Sequence, residues 1–276
     1  MRFGISPFAS RRGVVVEVAA RAVQGGLDTL WLGDGLLANP DFPPWAGGME
    51  TFCELAWLAG RFPTARIGIS AAVLPVRDVD WVIKQSATLD QLTEGGFVLA
   101  VAAGFWEREA AARGVDFARR GKVLDERLAV IRRAFGPDAP ADRQLAPAPF
   151  TDGGPPLWLA GGEATMAKAL RLGLPFQSSR MTPEELAPVA ERWFDQGGGL
   201  LAHRVRVEVG QTAVEGHEVA WHAVVGSAAH VAEQLAAFRE MGVGDLSIIP
   251  GQDDATALAT VEALAADVLP LLERGS

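Results

Sequence analysis

One cysteine, Cys53, stands in 276 residues, so no internal disulfide can form. It lies in a helical pattern beside Phe52 and Leu55 and reads as a core residue, not a nucleophile. The four histidines, His203, His217, His222 and His230, include no H-x-x-x-H pair and none with a cysteine partner. Solvated or core roles are expected for them, and no metal site. Long apolar runs are absent too: each is interrupted well before the roughly 18 residues that a membrane-spanning helix needs. Met1 leads into the strand-like Arg2 to Ser6 with no apolar leader, and a cytoplasmic protein is expected. Basic residues are the minority, 25 Lys and Arg against 34 Asp and Glu, for a net charge of -9. That balance argues against a nucleic-acid surface, which needs a basic face. The G-x-S-x-G elbow and the P-loop are missing as well.

Apolar residues, at 49%, are plentiful enough for a substantial core. The heavy use of Ala, Gly and Arg is what a GC-rich bacterial genome produces. Short β-type runs alternate with 3.6-period patterns, and eight such pairs are counted. The strands are Arg2 to Ser6, Thr29 to Gly33, Arg66 to Ala72, Phe97 to Ala102, Pro156 to Ala160, Leu174 to Gln177, Ala202 to Val209 and Asp245 to Ile249. The helices are Val14 to Gln24, Thr51 to Arg61, Asp78 to Thr93, Lys122 to Phe135, Glu163 to Leu172, Pro183 to Asp195, Ser227 to Met241 and Asp254 to Leu272. Thr182, Pro183 and Glu185 form an N-cap, an N1 proline and a capping box, and Gly242 is a stop. Strict alternation forces parallel strands. Eight repeats at this length suit a single-domain α/β (β/α)8 TIM barrel over residues 1–276, typically around 250 residues. A doubly wound open sheet is the runner-up, but its first connection reads FASRRG and lacks G-x-G-x-x-G. The Pro-rich segment 136–156 is read as a connection, not a domain boundary.

In a (β/α)8 barrel the chemistry belongs at the C-terminal ends of the strands. After strand four, Gly104 opens into Phe105, Trp106, Glu107 and Glu109, either an aromatic and acidic wall or a core cap with solvated acids. After strand five, Gly161-Gly162-Glu163-Ala164-Thr165 runs straight into a helix. Its free N-H groups and the Thr165 hydroxyl suit a phosphate. The alternative is a glycine turn with Glu163 as a first-turn acid. Strand three ends in the small residues Ser70, Ala71 and Ala72, leaving room for a flat group or for tight helix-to-sheet contact.

Taken together, several segments resemble the bacterial luciferase-like superfamily of flavin- and deazaflavin-dependent oxidoreductases. They are GLDTLWLGD (Gly26 to Asp34), RIGISAAVLPVRDVDWVIKQSATLDQLTEGGFVLAVAAG (Arg66 to Gly104), GVDFARRGKVLDERL (Gly114 to Leu128), PPLWLAGG (Pro155 to Gly162), VVGSAAHVAEQLAAFREMGV (Val224 to Val243) and DVLPLLE (Asp267 to Glu273). Their order and spacing carry the likeness. It implies a (β/α)8 barrel with F420 or FMN at the C-terminal mouth, used for hydride transfer or monooxygenation of a small organic substrate. Ser70, Ala71 and Ala72 would face the ring, with a cis peptide between Ser70 and Ala71. Gly161, Gly162, Ala164 and Thr165 fall on the phosphate loop. Gly104, Trp106 and Glu109 fall on the mouth segment, and Asp34, Trp106 and Glu109 are the candidate catalytic residues.

Three departures from the family pattern stand out. Where relatives carry Asp-His or Glu-His after strand two, this chain has Asp34-Gly35. Ala103 replaces the arginine that FMN-binding members often place after strand four, so that Arg119, Arg120 or Lys122 either supplies the charge from the next helix or forms a solvated helix start. The segment Gly210 to Val225 is short, which suits an open mouth or one completed by a partner subunit. The second reading is therefore a non-catalytic or cofactor-free barrel acting as a binding or subunit-partner protein. Trp45, Phe52 and Trp57 near helix two are candidates for a homodimer contact.

Overall fold

The computed structural model describes residues 1–7, 11–38, 48–137, 139, 145–210 and 223–274. Packing divides the chain into two units, Met1–Trp31 with Leu159–Ser276, and Leu32–Asn39 with Gly47–Trp158. The order of elements and the parallel pairing of strands are those of a (β/α)8 barrel.

In the first unit, β1 (Arg2–Ile5) lies between β2 (Thr29–Leu32) and β9 (Val243–Pro250), with α1 (Arg12–Gln24) connecting β1 to β2. Beyond β9 comes β7 (Leu201–Val209), which also pairs with β6 (Phe176–Ser179) and with the short β8 (Ala223–Gly226). β5 (Leu157–Ala160) pairs with β6 through Leu159 and Ala160. The helices are α6 (Glu163–Leu172), α7 (Pro183–Asp195), α8 (Ala228–Glu240), α9 (Asp254–Ala263) and α10 (Leu269–Arg274). The side chains of β7 divide between its faces. His203, Val205 and Val207 are buried, and the His203 ring lies 5.0 Å from Phe238 of α8, while Arg204, Arg206 and Glu208 on the opposite face are half-buried.

The second unit pairs β3 (Arg66–Val73) with β4 (Phe97–Ala102) and carries α2 (Thr51–Arg61), α3 (Val79–Leu92), α4 (Glu107–Ala112) and α5 (Arg120–Phe135). Phe97 to Val101 are at most 1% exposed, as an unbroken apolar strand requires. Asp90, fully buried at the end of α3, accepts from Thr151 N at 2.7 Å and Thr151 Oγ1 at 3.0 Å, tying the Pro-rich segment to the helix.

Several sequence expectations need correction. Strand six begins at Phe176, not Leu174. Gly173 is left-handed at φ 64°, Leu174 N donates to Ala169 O at 3.0 Å, and both are used in stopping α6. The strand β8 and the helix α4 were not expected, being only 4 and 6 residues long. The last helix is broken by a π-helical stretch, Leu264–Val268, just before Pro270, which has no N-H for the regular ladder. The continuous run Asp254–Arg274 is, by length and composition, apolar enough to cross a membrane, although Ala257, Thr260, Val261, Leu264, Val268 and Leu272 along it are buried within the first unit. Cys53 is exposed, not core. Phe52, Leu55, Leu58 and Ala59 fill the inward face of α2, and Cys53 sits one step around the helix from it. For the same reason Phe52, 3% exposed, is no surface contact, whereas Trp57 is 39% exposed. Trp45 and residues 211–222 of the segment Gly210 to Val225 lie outside the described residues. The box at Thr182 forms as expected, Glu185 N donating to Oγ1 at 3.3 Å and Thr182 N to Glu185 Oε2 at 2.9 Å.

Candidate active site

In the second unit a set of polar groups converges on the end of β3. The Asp34 side chain is only 2% exposed. Its Oδ2 accepts from Val73 N at 2.8 Å and from Arg77 Nε at 2.7 Å. Its Oδ1 accepts from Arg77 Nη2 and, at 3.2 Å, from Thr51 Oγ1. Arg77 reaches Glu50 through Nη1 at 2.8 Å as well. Burial works against the Arg77 charge, but the bonds and attraction of Asp34 and Glu50 prevail, and its pKa lies above the ordinary arginine value. Burial also opposes the Glu50 charge, yet the Cys53 backbone N-H and Arg77 hold that carboxylate below its usual range. Arg127 Nη1 donates to Leu74 O at 2.7 Å and to Arg77 O, and Arg113 Nε to Val76 O at 3.1 Å. The short 3-10 turn Leu74–Val76 after β3 is therefore clamped on both sides.

β3 itself is irregular at this end. The peptide between Ser70 and Ala71 is cis, as expected. The register with β4 shifts between Ile69 and Ala72, placing one extra residue in β3. Ser70 and Ala72 are buried and Ala71 is half-exposed. Gly104, at the exit of β4, has φ 80°, and a Cβ there would lie 2.6 Å from Val73 Cγ1. Only glycine lets the two strand ends approach this closely. Trp106 is the half-buried N-cap of α4. Glu109, 5% exposed, accepts from Leu36 N and, at 3.4 Å, from Leu37 N. Asp34 and Glu109 therefore both fasten the loop after β2, Asp34 from within it and Glu109 from α4. Of the candidate cations, Arg120 donates to Gly104 O at 3.2 Å and Phe117 O at 2.8 Å, Lys122 faces Glu126 at 3.9 Å, and Arg119 is exposed.

The first unit holds the other predicted group. Gly161, Gly162 and Ala164 are exposed at the start of α6, and Thr165 is half-exposed. Gly161 N donates to Gln177 O at 3.1 Å, and the first helical bonds run from Thr165 N and Met166 N to Gly162 O, at 2.9 and 3.0 Å. The N-H groups of Glu163 and Ala164 precede them and have no carbonyl to reach within the helix. A Cβ on Gly161 would stand 2.5 Å from Thr165 Oγ1, whereas one on Gly162 would meet nothing within 4 Å. The result is an exposed cradle of backbone donors with a hydroxyl at one side. Its donor chemistry fits a phosphate monoester.

The sequence reading missed Arg77, Glu50 and Thr51 in the second unit and the arginines of β7 in the first. The signal for Arg204 and Arg206 was present in the alternation His203-Arg204-Val205-Arg206-Val207 within a recognised strand. For Arg77 no local signal exists, because its partner Asp34 is 43 residues away.

Comparison with known proteins shows the family and the fold. Residues 7–198 match the family model of luciferase-like monooxygenases, and the chain belongs to that family. It is similar to an F420-dependent glucose-6-phosphate dehydrogenase of Amycolatopsis mediterranei, 33% identical over 133 residues, which is 45% of this chain and 38% of that relative. The chain thus covers less than half the length of the curated relative. Among solved structures it resembles the monooxygenase RslO1 from Streptomyces bottropensis, at TM-score 0.81 and 15% identity, covering 98% of this chain and 99% of the other. It also resembles the oxygenating constituent of 3,6-diketocamphane monooxygenase from Pseudomonas putida, solved with FMN, at TM-score 0.74 and 16% identity, covering 98% of each.

Proposed function

We propose that the protein is an oxidoreductase that binds F420 or FMN and acts on a small organic substrate by hydride transfer or monooxygenation. The observation that carries this reading is the cradle at Gly161 to Thr165 in a chain of the luciferase-like family. The backbone N-H groups of Glu163 and Ala164 and the Thr165 hydroxyl would hold the cofactor's phosphate, favoured by the positive end of α6. Ser70, Ala71 and Ala72, small and at the irregular end of β3, would lie against the ring, with Gly104 and Trp106 beside them. When bound, the ring supplies the redox chemistry, and the protein orients it and keeps water away. Asp34 is a positioning residue, since both its oxygens are engaged by Arg77, Val73 and Thr51. Glu109 acts likewise by ordering Leu36 and Leu37.

That engagement of Asp34, with Gly35 in place of histidine, favours a second reading, a barrel that binds without catalysing. Fluorescence titration of the purified protein with FMN and with F420, each oxidised and reduced, tests the first reading. Micromolar binding of either cofactor, followed by turnover of its reduced form, is the expected result. Binding without turnover across a substrate panel leaves the second reading, and failure of both cofactors to bind overturns the first.

A further inference from the structure

Three arginines of the second unit, Arg113, Arg120 and Arg127, reach toward the ends of β3 and β4 and hydrogen-bond to backbone carbonyls. Arg113, the C-cap of α4, donates from Nε to Val76 O at 3.1 Å. Arg127 donates from Nη1 to Leu74 O at 2.7 Å and to Arg77 O, so these two arginines hold one four-residue turn. Arg120 donates from Nε to Gly104 O at 3.2 Å and from Nη1 to Phe117 O at 2.8 Å, and its guanidinium lies 3.8 Å from the centre of the Phe117 ring. Among the described residues, no carboxylate bonds any of the three. Arg120 and Arg127, seven residues apart, share one face of α5, where the side chains one turn away are the apolar Val123, Leu124, Val130 and Ile131. The acids of these elements are engaged with other groups. Asp34 and Glu50 bond Arg77, Glu109 accepts from Leu36 N and Leu37 N, Asp116 accepts from Ala118 N, and Glu126 faces Lys122. Each guanidinium has five N-H donors, and the Nη2 of all three bonds none of the described residues. Holding a carbonyl requires an N-H and no charge, which a neutral amide supplies. Charged forks with donors to spare are what an oxyanion requires.

We propose that Arg113, Arg127 and Arg120 form a binding site for a multiply charged oxyanion beside the turn that follows β3. Two of the guanidinium groups stand on the turn Leu74 to Arg77 and the third on Gly104, a spread that suits two linked phosphates or carboxylates better than one. Arg113 is exposed and opens the site to solvent, while Arg120 and Arg127 are half-buried, where salt screens them less. The carbonyl bonds hold the forks in place before a ligand arrives, so little side-chain freedom is lost on binding. The site goes beyond the proposed function and stands without any flavin, because none of its side chains is assigned to the cofactor.

The test is calorimetric titration of the full chain at low salt with pyrophosphate and, separately, with citrate. Saturable binding is expected for at least one of them, weakened about tenfold or more in R113Q and in R127Q, as loss of a hydrogen bond to a charged group requires. Absence of saturable binding to both, or equal affinity in wild type and R113Q, overturns the proposal. Arg113 is exposed and gives the turn a single bond, so R113Q is the variant expected to keep its fold. Should R127Q or R113Q fail to fold by circular dichroism, phenylglyoxal labelling of the wild type decides instead. Pyrophosphate or citrate must protect Arg113 and Arg127 in the peptide map, and labelling unaffected by both overturns the site. The cradle at Gly161 to Thr165 also offers donors to an anion, and T165V tells the two apart. Anion affinity unchanged in T165V and reduced in R113Q supports the arginine site, whereas the reverse pattern assigns the anion to the cradle and overturns it. No cofactor enters these measurements, so failure of the proposed function and failure of this site are read separately.

Discussion

Arg77 grips Asp34 with two bonds, Nε to Oδ2 and Nη2 to Oδ1, the fork-on-fork geometry available to arginine and not to lysine. The pair joins the loop after β2 to the turn after β3, and Val73 N and Thr51 Oγ1 complete the carboxylate's set. Breaking it by removing the cation leaves a buried carboxylate without its charge partner. Arg77→Leu should lower the stability of the protein by about 3 kcal/mol, as such removals do. The urea midpoint measures it, and a D34N/R77L double variant should recover part of the loss because no charge is left buried. A midpoint unchanged in R77L would show that water reaches Asp34.

His203 predicts a pH dependence. It is fully buried, with Nδ1 2.8 Å from Ser178 Oγ and Nε2 3.0 Å from Met181 O, and burial lowers its pKa from 6.5 to about 4 despite the opposing bond to Met181. The folded state thus prefers the neutral ring. Its contribution is fully present above pH 6.5, and it is lost as pH falls toward 4, because the unfolded chain takes up the proton first. The slope in that window is about 1.4 kcal/mol per pH unit, for a total of about 3 kcal/mol. Unfolding in urea at pH 7.5 and at pH 5 should show the difference, and H203Q should flatten that part of the profile. Parallel profiles for the two proteins would contradict it.

Gly104→Ala tests the close approach of the ends of β3 and β4. The new methyl would meet Val73 Cγ1 at 2.6 Å, on a backbone with φ 80°. Left-handed backbone and overpacking together should cost about 2 to 4 kcal/mol. The thermal midpoint should fall, and cofactor binding should weaken with it. A fully stable G104A would mean that Val73 can move aside freely.

The proposed phosphate role of the Gly161 to Thr165 cradle is tested separately from stability. Thr165→Val removes a hydroxyl but leaves the Thr165 N bond to Gly162 O in place. Loss of one hydrogen bond to a charged group, about 1.5 to 3 kcal/mol, should weaken FMN or F420 about 10- to 100-fold. Fluorescence titration reads this effect, and the thermal midpoint of the unliganded protein should stay where it was. Equal cofactor affinity in T165V would remove the hydroxyl from the site.

Much of this protein was legible in its sequence because the relevant signals are local. The alternation of strand and helix period, the capping box at Thr182 and the glycine stop at Gly242 all depend on residues within one turn or one strand, and they led to the (β/α)8 class. The cradle at Gly161 to Thr165 was readable for the same reason, being one strand end and one helix start. Cys53 and Phe52 were misread because apolar composition marks a helix as packed without saying which of its residues face in.

What only the tertiary structure decided are the partnerships between residues far apart in the chain. Asp34 was singled out by its place after β2, but its commitment to Arg77 depends on how two loops 43 residues apart are brought together. Likewise Arg180 lies just past the end of β6 and Arg204 within β7, and only the parallel register of β6 and β7 makes neighbours of them. Period and capping are set by bonds within a few residues, whereas the pairing of charges is set by chain topology, and one-dimensional spacing carries no record of it.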